Sequence, residues 1–333
     1  MGYIVGVDGG GTKTTAVVTD ATGAVIGLGR GGAGNYQTIG LDNATDAIAS
    51  AIVGAIQEAA STGGIAPADL DNELIIVLGL AGADRPRDKA NLQKALMAKL
   101  PAKPRYLVIE NDARIALAGA TGGKPGVVLI AGTGSIALGI DEQGQTIRCG
   151  GWGPILGDEG SGYAMGKAAL IAVMRDYDGR GPSTTLKTRI LAHLGITSPE
   201  ELVHLVYQGP LQRPEIAKLT ELVLEEAANG DEVSQAIVLQ GAQELVELIT
   251  AVVSRLGWQN MPALIAGIGG LMQPGNLLWD RIQTLLAESC PLSRMIPPLL
   301  PPHLGAVLLG RNHLAQGIPL EDFVNNLGEA TLI

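Results

Sequence analysis

The chain opens with short apolar runs that are separated by glycine-rich breaks. Residues 3–8 and 14–19 are apolar runs on either side of a Gly-Gly-Gly-Thr sequence, and a turn sequence at 20–23 leads into residues 24–27. Short apolar runs bounded by turn residues are typical of strands joined by hairpins. The pattern predicts an antiparallel meander of three strands.

The same order of elements recurs further along the chain. Residues 126–131 are apolar, 132–135 read Gly-Thr-Gly-Ser, 136–140 are apolar again, and an Asp-x-x-Gly turn at 141–144 precedes residues 145–148. Internal repetition of whole segments indicates duplicated structural units. The repeat therefore predicts two related halves that face each other.

Helical and strand patterns alternate in the rest of the chain. Residues 44–61 carry an apolar stripe at helical spacing, with Asp42 as the predicted helix cap. The other predicted helices span 88–100, 113–120, 161–177, 185–194, 199–207, 214–229, 231–256, 277–288 and 304–315, and the other strands span 73–80, 106–110 and 263–268. Strands that alternate with helices predict mixed sheets covered by helices.

A glycine-rich sequence at 118–126 marks the expected boundary between the halves. We expect an α/β protein of two domains, residues 1–120 and residues 121–333, and a helical insertion in the second domain.

Composition and charge narrow the possible functions. The 333 residues include 47 glycines in short clusters, which predict tight turns where the backbone closely approaches another group. The net charge of −10, without a basic stripe, argues against nucleic-acid binding. Cys149 and Cys290 form no CxxC pair and predict reduced thiols in a cytoplasmic protein. We also expect no signal peptide and no membrane span.

The first hairpin carries residue types that bind phosphate. A strand rather than a helix follows Gly10, Gly11, Thr12 and Lys13, so the sequence is not a Walker A loop. Successive glycine N–H groups wrap a phosphate well, and the hydroxyl and ammonium groups add donors. Asp8, just before the glycines, is placed to hold Mg²⁺ through water. The alternative is a structural hairpin whose Asp8 faces solvent.

The second hairpin repeats this chemistry with Gly132, Thr133, Gly134 and Ser135. One such turn is a weak signal. Two of them in a repeated context predict that a polyphosphate is held from opposite sides.

Asp112 lies between a predicted buried strand and a predicted helix. Open α/β sheets bind their ligands at the carboxyl ends of strands, which favours a general base at this position. The alternative role is the N-cap of the following helix, and the two roles are compatible.

Two further glycine-rich sequences precede helical patterns. Residues 150–161 contain Asp158 and Glu159, whose carboxylates are suited to hydrogen bonding sugar hydroxyls or to capping the next helix. Residues 266–270 follow a predicted strand, and their small side chains would let an adenine ring lie against the backbone. The four scattered histidines indicate surface or structural positions rather than a metal site.

These five motifs, in this order and spacing, resemble the sugar kinase, Hsp70 and actin superfamily. More narrowly, they are similar to the N-acetylglucosamine kinases within the BadF/BadG/BcrA/BcrD ATPase family. The resemblance spans nearly the whole chain, and residues 151–161 are its most specific element. It implies a two-domain actin-like (ribonuclease H-like) ATPase fold, with a duplicated mixed sheet flanked by helices and an interdomain cleft. It also implies a homodimer that uses ATP and Mg²⁺ to phosphorylate an amino sugar. Among the amino sugars, the implied first choice of substrate is N-acetylglucosamine, phosphorylated on its 6-hydroxyl.

The resemblance also implies roles for individual residues. Asp112 would be the general base, and the two hairpins would bind the ATP phosphates. The implied sugar-binding positions are Asn35, Asp112, Ser135, Gly151, Trp152, Gly153 and Asp158. The implied adenosine-lining positions are Gly267, Gly269 and Gly270.

Some features leave other functions open. Residues 81–83 read Ala-Gly-Ala where the animal enzymes have a hydroxyl-bearing serine, so glucosamine and N-acetylmuramic acid are alternative substrates. An ATPase activator of a radical dehydratase or reductase would need an iron–sulfur cysteine just before the second hairpin, where residues 127–131 have none. A sugar-sensing regulator would carry a DNA-binding domain before the first hairpin, and we do not expect this function because the sequence is acidic and opens with that hairpin.

Overall fold

The computed structural model describes residues 2–66, 73–83 and 85–329, and the chain forms two compact units. Unit 1 comprises Met1–Lys124 and Pro298–Ile333, and unit 2 comprises Pro125–Pro297. The sequence analysis placed residues 121–333 together, whereas the segment from Pro298 packs with unit 1. It does so because Leu304 and Val307 share a buried apolar cluster with Ile4 and Ile115.

Unit 1 is built on a mixed sheet in the order β3-β2-β1-β4-β5. The strands are β1 (Tyr3–Gly9), β2 (Thr14–Thr19), β3 (Val25–Gly31), β4 (Leu74–Leu80) and β5 (Tyr106–Asn111). The first three form the predicted antiparallel meander, while β4 is parallel to β1 and β5 is parallel to β4. The carboxyl ends of β1, β4 and β5 therefore lie at one edge of the sheet.

The helices of unit 1 that precede unit 2 are α1 (Tyr36–Ile39), α2 (Leu41–Ser61), α3 (Pro86–Met97) and α4 (Asp112–Thr121). The long helix α2 packs on β2 and β3. A Cβ atom on Gly29 of β3 would lie 1.9 Å from the carbonyl oxygen of Ala51, so this close packing requires glycine. The predicted cap was wrong: Gly40 is the N-cap of α2, and Asp42 lies in its first turn, where its charge favours the helix dipole.

Unit 2 repeats the sheet topology, in the order β10-β9-β6-β7-β8. Its strands are β6 (Gly126–Ala131), β7 (Ser135–Ile140), β8 (Thr146–Gly150), β9 (Leu264–Ile268) and β10 (Arg294–Ile296). β6, β7 and β8 form the second antiparallel meander, with β9 parallel to β6 and β10 parallel to β9. The duplicated mixed sheet predicted from the sequence is thus confirmed.

The helices of unit 2 are α5 (Gly162–Tyr177), α6 (Leu186–Leu194), α7 (Glu201–Tyr207), α8 (Arg213–Ala228), α9 (Glu232–Arg255) and α10 (Leu277–Ser289). The first four lie between β8 and α9 and correspond to the expected helical insertion, and α5, α8 and α9 pack on one another. By length and composition alone α9 would suffice to cross a membrane, but half of its apolar window is buried inside the protein. A core helix explains this composition.

Two helices complete unit 1 after the chain returns from unit 2, α11 (Pro302–Arg311) and α12 (Leu320–Glu329). α11 packs against β1 and α4, and α12 buries Phe323 and Leu327 in the same apolar cluster. The sequence analysis did not predict α1, β10 or α12. Two of these are very short, with four and three residues, and give no periodic signal of their own.

Candidate active site

The first predicted phosphate hairpin joins β1 to β2 in unit 1. The N–H of Gly10 donates to the carbonyl of Lys13 at 3.0 Å, which closes the turn. Gly11, Thr12 and Lys13 are exposed, and a Cβ on Gly11 would contact nothing within 4 Å. The hairpin tip therefore presents open backbone, as a phosphate-binding turn requires.

Asp8 and Asp112 are electrostatically coupled in unit 1. Asp8 is the second-last residue of β1, and Asp112 directly follows β5. Both residues therefore lie at the carboxyl edge of the sheet. Burial, and then the negative charge of Asp112, raise the pKa of Asp8 to about 6, although the ammonium of Lys13 opposes the shift. Two neighbouring carboxylates of this kind suit a hard cation such as Mg²⁺, because the cation would relieve their repulsion.

The capping role considered for Asp112 belongs mainly to its neighbour. Asn111 is the N-cap of α4, and its side-chain oxygen accepts the N–H of Ala113 at 2.8 Å. Asp112 is the first residue of the helix, and its carboxylate also accepts that N–H, at 2.9 Å. Because Asn111 caps the helix, a carboxylate at 112 is not needed for that purpose.

Asn35 begins a hydrogen-bonded rim beside the first hairpin. Its side chain caps α1 by accepting the N–H of Gln37 at 3.0 Å. The carbonyl of Gly82 accepts hydrogen bonds from the Tyr36 hydroxyl and from the Gln37 amide, both at 3.1 Å. These bonds tie the loop that follows β3 to the Ala-Gly-Ala loop that follows β4. We call residues 35–37 and 81–83 the rim.

The rim is also fixed to the hairpin itself. The N–H of Gly34 donates to the carbonyl of Gly10 at 2.8 Å, and the N–H of Ala81 donates to the carbonyl of Gly9 at 3.2 Å. A Cβ on Gly34 would lie 2.9 Å from the Cα of Gly9, so glycine is required there. Unit 1 therefore brings Asp8, the hairpin, the Asn35 segment and Asp112 to one edge of its sheet.

The second hairpin joins β6 to β7 in unit 2 and is braced by the segment that leads into α5. The Ser135 hydroxyl donates to the carbonyl of Glu159 at 2.6 Å, and the N–H of Gly162 donates to the carbonyl of Gly132 at 2.8 Å. Thr133, at the tip, is exposed. Ser135 is buried and engaged in this brace rather than open at the surface.

Asp158 is buried, and each of its carboxylate oxygens has a protein partner. Oδ1 accepts the N–H of Ser135 at 3.2 Å, and Oδ2 accepts a charged hydrogen bond from Arg213. The alternative role considered for Asp158, capping of the next helix, was wrong, since Ser161 caps α5. Sequence reasoning missed Arg213, because it lies 55 residues further along the chain and only the folded helices bring it to Asp158.

Trp152 stands on an exposed loop that follows β8. The guanidinium carbon of Arg148 lies 4.9 Å from the centroid of its ring, and 63% of Trp152 is exposed. Gly151 and Gly153 have φ angles of 70° and 85°, a conformation that favours glycine. The adjacent Ile155 is exposed as well, so the loop presents an apolar face to its surroundings.

The three glycines expected to line adenosine lie in different surroundings. Gly269 has a φ of 108°, and a Cβ there would lie 2.2 Å from the carbonyl oxygen of Ala131, so glycine lets this turn contact the start of the second hairpin. Gly270 is exposed with open space where a side chain would stand. Gly267 is buried, and a Cβ there would lie 2.6 Å from the ring of Trp279, so core packing explains this glycine.

His303, on α11, is a neighbour of the first hairpin that sequence reasoning had treated as surface or structural. Burial, and then the charge of Lys13, lower its pKa to about 4, so the imidazole is neutral at physiological pH. Cys149 and Cys290 are free thiols. In the part of the chain that the structure describes, no group of three or more histidine, cysteine or acidic side chains forms a metal-binding cluster.

Comparison with known proteins gives relatives over nearly the full length. Residues 5–310 match the BadF/BadG/BcrA/BcrD ATPase family. An N-acetyl-D-glucosamine kinase of Dictyostelium discoideum is 36% identical over 315 residues, which cover 92% of this chain and 97% of the relative. An N-acetylmuramic acid/N-acetylglucosamine kinase of Clostridium acetobutylicum is 33% identical over 318 residues, which cover 94% of this chain and 99% of that relative.

The solved structures agree with the fold predicted from the sequence. A structure described as an N-acetylglucosamine kinase from Chromobacterium violaceum has a TM-score of 0.74 and 27% sequence identity, and the match covers 93% of this chain and 99% of that one. The two related five-stranded sheets and the length of this match confirm the two-domain, actin-like α/β fold.

Proposed function

Because the chain belongs to the BadF/BadG/BcrA/BcrD ATPase family, we propose that it is an ATP-dependent kinase whose substrate is an amino sugar. The observation that carries the proposal is the 36% identity with an N-acetyl-D-glucosamine kinase over 92% of this chain. The exposed backbone of the first hairpin and the carboxylates at the edge of its sheet supply the groups that phosphoryl transfer needs.

The proposed substrate is N-acetylglucosamine, phosphorylated on its 6-hydroxyl. N-acetylmuramic acid is a second candidate, because the Clostridium acetobutylicum relative, 33% identical, is described as acting on both sugars. Asn35, Trp152 and Asp158 are the residues proposed to select the sugar. The buried position of Asp158 and its two protein partners leave it fewer free lone pairs than the sequence suggested.

In the proposed reaction, Asp112 accepts the proton of the sugar hydroxyl while that oxygen forms a bond to the γ-phosphorus of ATP. The bond between the γ-phosphorus and ADP breaks in the same step, and ADP leaves. Gly132, Thr133 and Gly134 are proposed to bind phosphate through backbone N–H and hydroxyl groups, as are the residues of the first hairpin. Mg²⁺, held by Asp8 through water, would supply charge neutralisation on the phosphates.

We further propose a cytoplasmic homodimer that binds neither nucleic acid nor membrane. The free thiols and the net charge of −10 support the location and the lack of nucleic-acid binding. The burial of α9 inside unit 2 argues against its use as a membrane span. The exposed apolar loop at Trp152 supports self-association.

The test is an ADP-release assay with N-acetylglucosamine, N-acetylmuramic acid, glucosamine, N-acetylmannosamine and glucose. We expect kcat/KM for N-acetylglucosamine to exceed that for glucose at least about tenfold, because a site built to hydrogen-bond a substrate group rejects sugars that lack it. Asp112→Asn should lower kcat by about 10²–10⁴-fold, the usual cost of losing a general base.

Asp46→Asn is the matched control, because Asp46 is an exposed carboxylate of α2 paired with Lys99 in the same unit. Its kinetics should equal those of the wild type. A greater kcat/KM for glucosamine would contradict the acetyl-sugar assignment, and a fall in kcat of less than tenfold would remove Asp112 as the base.

A further inference from the structure

Arg213 is the first residue of α8, in the helical insertion of unit 2, and it reaches the second hairpin. Its Nη2 donates to Oδ2 of Asp158, and its guanidinium carbon lies 5.9 Å from the centroid of the Tyr163 ring. Its Nε is buried without a hydrogen-bond partner in the part of the chain that the structure describes. The guanidinium is therefore held toward Asp158 through Nη2 and the aromatic ring.

The ion pair of Arg213 and Asp158 lies directly against the hairpin. A Cβ on Gly134 would stand 2.8 Å from Oδ1 of Asp158 and 3.0 Å from Nη2 of Arg213. Gly134 therefore leaves room for the pair beside the hairpin. The close packing links the position of the pair to that of the hairpin.

The second link is the hydrogen bond from the Ser135 N–H to Oδ1 of Asp158, at 3.2 Å. Asp158 is the one non-glycine residue with a positive φ in the described part of the chain, at 61°. Aspartate adopts this conformation more readily than most non-glycine residues. At Asp158 the side chain is held by the Arg213 ion pair on one oxygen and the Ser135 N–H on the other.

The electrostatics explain why Asp158 needs a cation. Its side chain is 5% exposed, and a buried carboxylate without a partner is costly. Removing Arg213 would leave this charge buried and unpaired, so Asp158 would move toward water. That movement weakens its hold on Ser135, the residue that ends the hairpin.

We propose that Arg213 is a positioning residue for nucleotide binding, which acts through Asp158 to fix the Gly132–Ser135 hairpin. The inference rests on the proposed function, because it assumes that this hairpin binds ATP phosphates. Arg213 lies outside the motifs found in the sequence. In this proposal the buried carboxylate of Asp158 supports nucleotide binding in addition to any contact with the sugar.

The experiment measures the affinity for MgADP and, separately, for N-acetylglucosamine by isothermal titration calorimetry with the full chain. Arg213→Gln removes the cation, Arg213→Lys retains it, and Asp158→Asn keeps an oxygen acceptor for the Ser135 N–H while removing the charge. We expect Arg213→Gln to weaken MgADP binding about tenfold, comparable to the loss of one charge-assisted hydrogen bond. Arg213→Lys should recover most of this affinity.

The double variant, Arg213→Gln with Asp158→Asn, should bind MgADP no more weakly than Arg213→Gln alone, because the two residues act as one pair. It also avoids an unpaired buried carboxylate, so it is informative if Arg213→Gln folds poorly. Arg189→Gln is the matched control: Arg189 also pairs with glutamates of α8 but is remote in sequence from the hairpin segment. Its MgADP affinity should be that of the wild type.

Three outcomes would overturn the proposal or its premise. If Arg213→Gln binds MgADP within twofold of Arg189→Gln, Arg213 does not position the hairpin. If Arg213→Gln weakens only the binding of the sugar, Arg213 does not act on the hairpin through Ser135, and Asp158 acts only in sugar binding. If the wild-type protein itself binds no MgADP, the proposed kinase function fails, which is a different result from either of these.

Discussion

Asp8 has a carboxyl whose charge is unfavourable for the fold, and it is the residue proposed to hold Mg²⁺ through water. Its carboxyl is buried near Asp112, and its pKa in the folded protein is about 6, above the ordinary value of 3.8. The stability gained from the protonated form is therefore complete below the ordinary value and is lost as the pH rises through 6. Since one pKa unit corresponds to about 1.4 kcal/mol, ionised Asp8 costs the metal-free fold on the order of 3 kcal/mol.

Asp8→Asn should therefore stabilise the metal-free protein in a pH-dependent way. We expect its melting temperature to exceed that of the wild type most at pH 8. The difference should shrink at pH 5, where Asp8 is mostly protonated in the folded protein, and should vanish only below the ordinary pKa of 3.8. Thermal melts in the presence of EDTA measure the difference. A gain of equal size at both pH values would show that the substitution acts by something other than the removed charge, and exposed Asp46→Asn serves as the control.

At the scale of elements, the rim joins two segments that are far apart in the sequence. Gly82 has a φ of 81°, and a Cβ there would lie 2.7 Å from the amide carbon of Gln37. Glycine therefore lets the amide reach the Gly82 carbonyl, at 3.1 Å. Because the Ala-Gly-Ala loop offers no side-chain hydroxyl, the position of its backbone relative to Asn35 becomes more important for any ligand bound there.

Gln37→Glu should raise the KM for the sugar roughly two- to tenfold, the effect of losing one neutral hydrogen bond. The carboxylate matches the amide in size but has no N–H to donate to Gly82. We expect little change in the KM for ATP, which steady-state kinetics with each substrate varied in turn will measure. Asn43→Asp makes the same change of charge at an exposed amide that donates to Ile39 at 2.9 Å, and it should have no effect. Equal effects of the two variants would refute the role of the rim.

The sequence predicted most regular elements because apolar periodicity and turn residues are local signals. Both meanders and the order of helices and strands were correct on that basis. Pairs between distant parts of the chain were not predictable in the same way. The Arg213–Asp158 ion pair of unit 2 depends on tertiary packing, and so does the electrostatic effect of Lys13 on His303 in unit 1. The segment from Pro298 was assigned to the wrong half because its apolar stripe specifies a buried helix but not its packing partner.

At the scale of the whole molecule, one apolar surface has no partner within the described part of unit 2. Ile155 is 91% exposed and Leu156 is 79% exposed, on the loop that carries Trp152. Glu159 and Gly160, just beyond this loop, line one end of a groove of about 1260 Å³ between α5 and α9. A protruding apolar loop beside a groove on the same unit is the arrangement that a two-fold symmetric dimer uses, since each chain supplies the loop for the other's groove.

Arginine side chains occupy three backbone carbonyls at the end of β8 next to this loop. Nε and Nη2 of Arg148 donate to the carbonyls of Gly150 and Gly151, at 3.2 and 2.6 Å, and Arg255 donates to the carbonyl of Arg148 at 2.9 Å. With these carbonyls occupied, this end of β8 is less available for pairing with a strand of a second copy.

If the proposed homodimer forms through this loop, Ile155→Asp should shift the protein from dimer to monomer. The substitution puts a charge where the proposed contact is apolar, and a buried unpaired charge is strongly unfavourable. Light scattering coupled to size-exclusion chromatography will give the molar mass at several concentrations. Tyr207→Asp is the matched control, because Tyr207 is an 81% exposed apolar side chain on α7. A wild-type monomer at all concentrations would reject the homodimer itself, whereas a dimer that Ile155→Asp leaves intact would place its interface elsewhere.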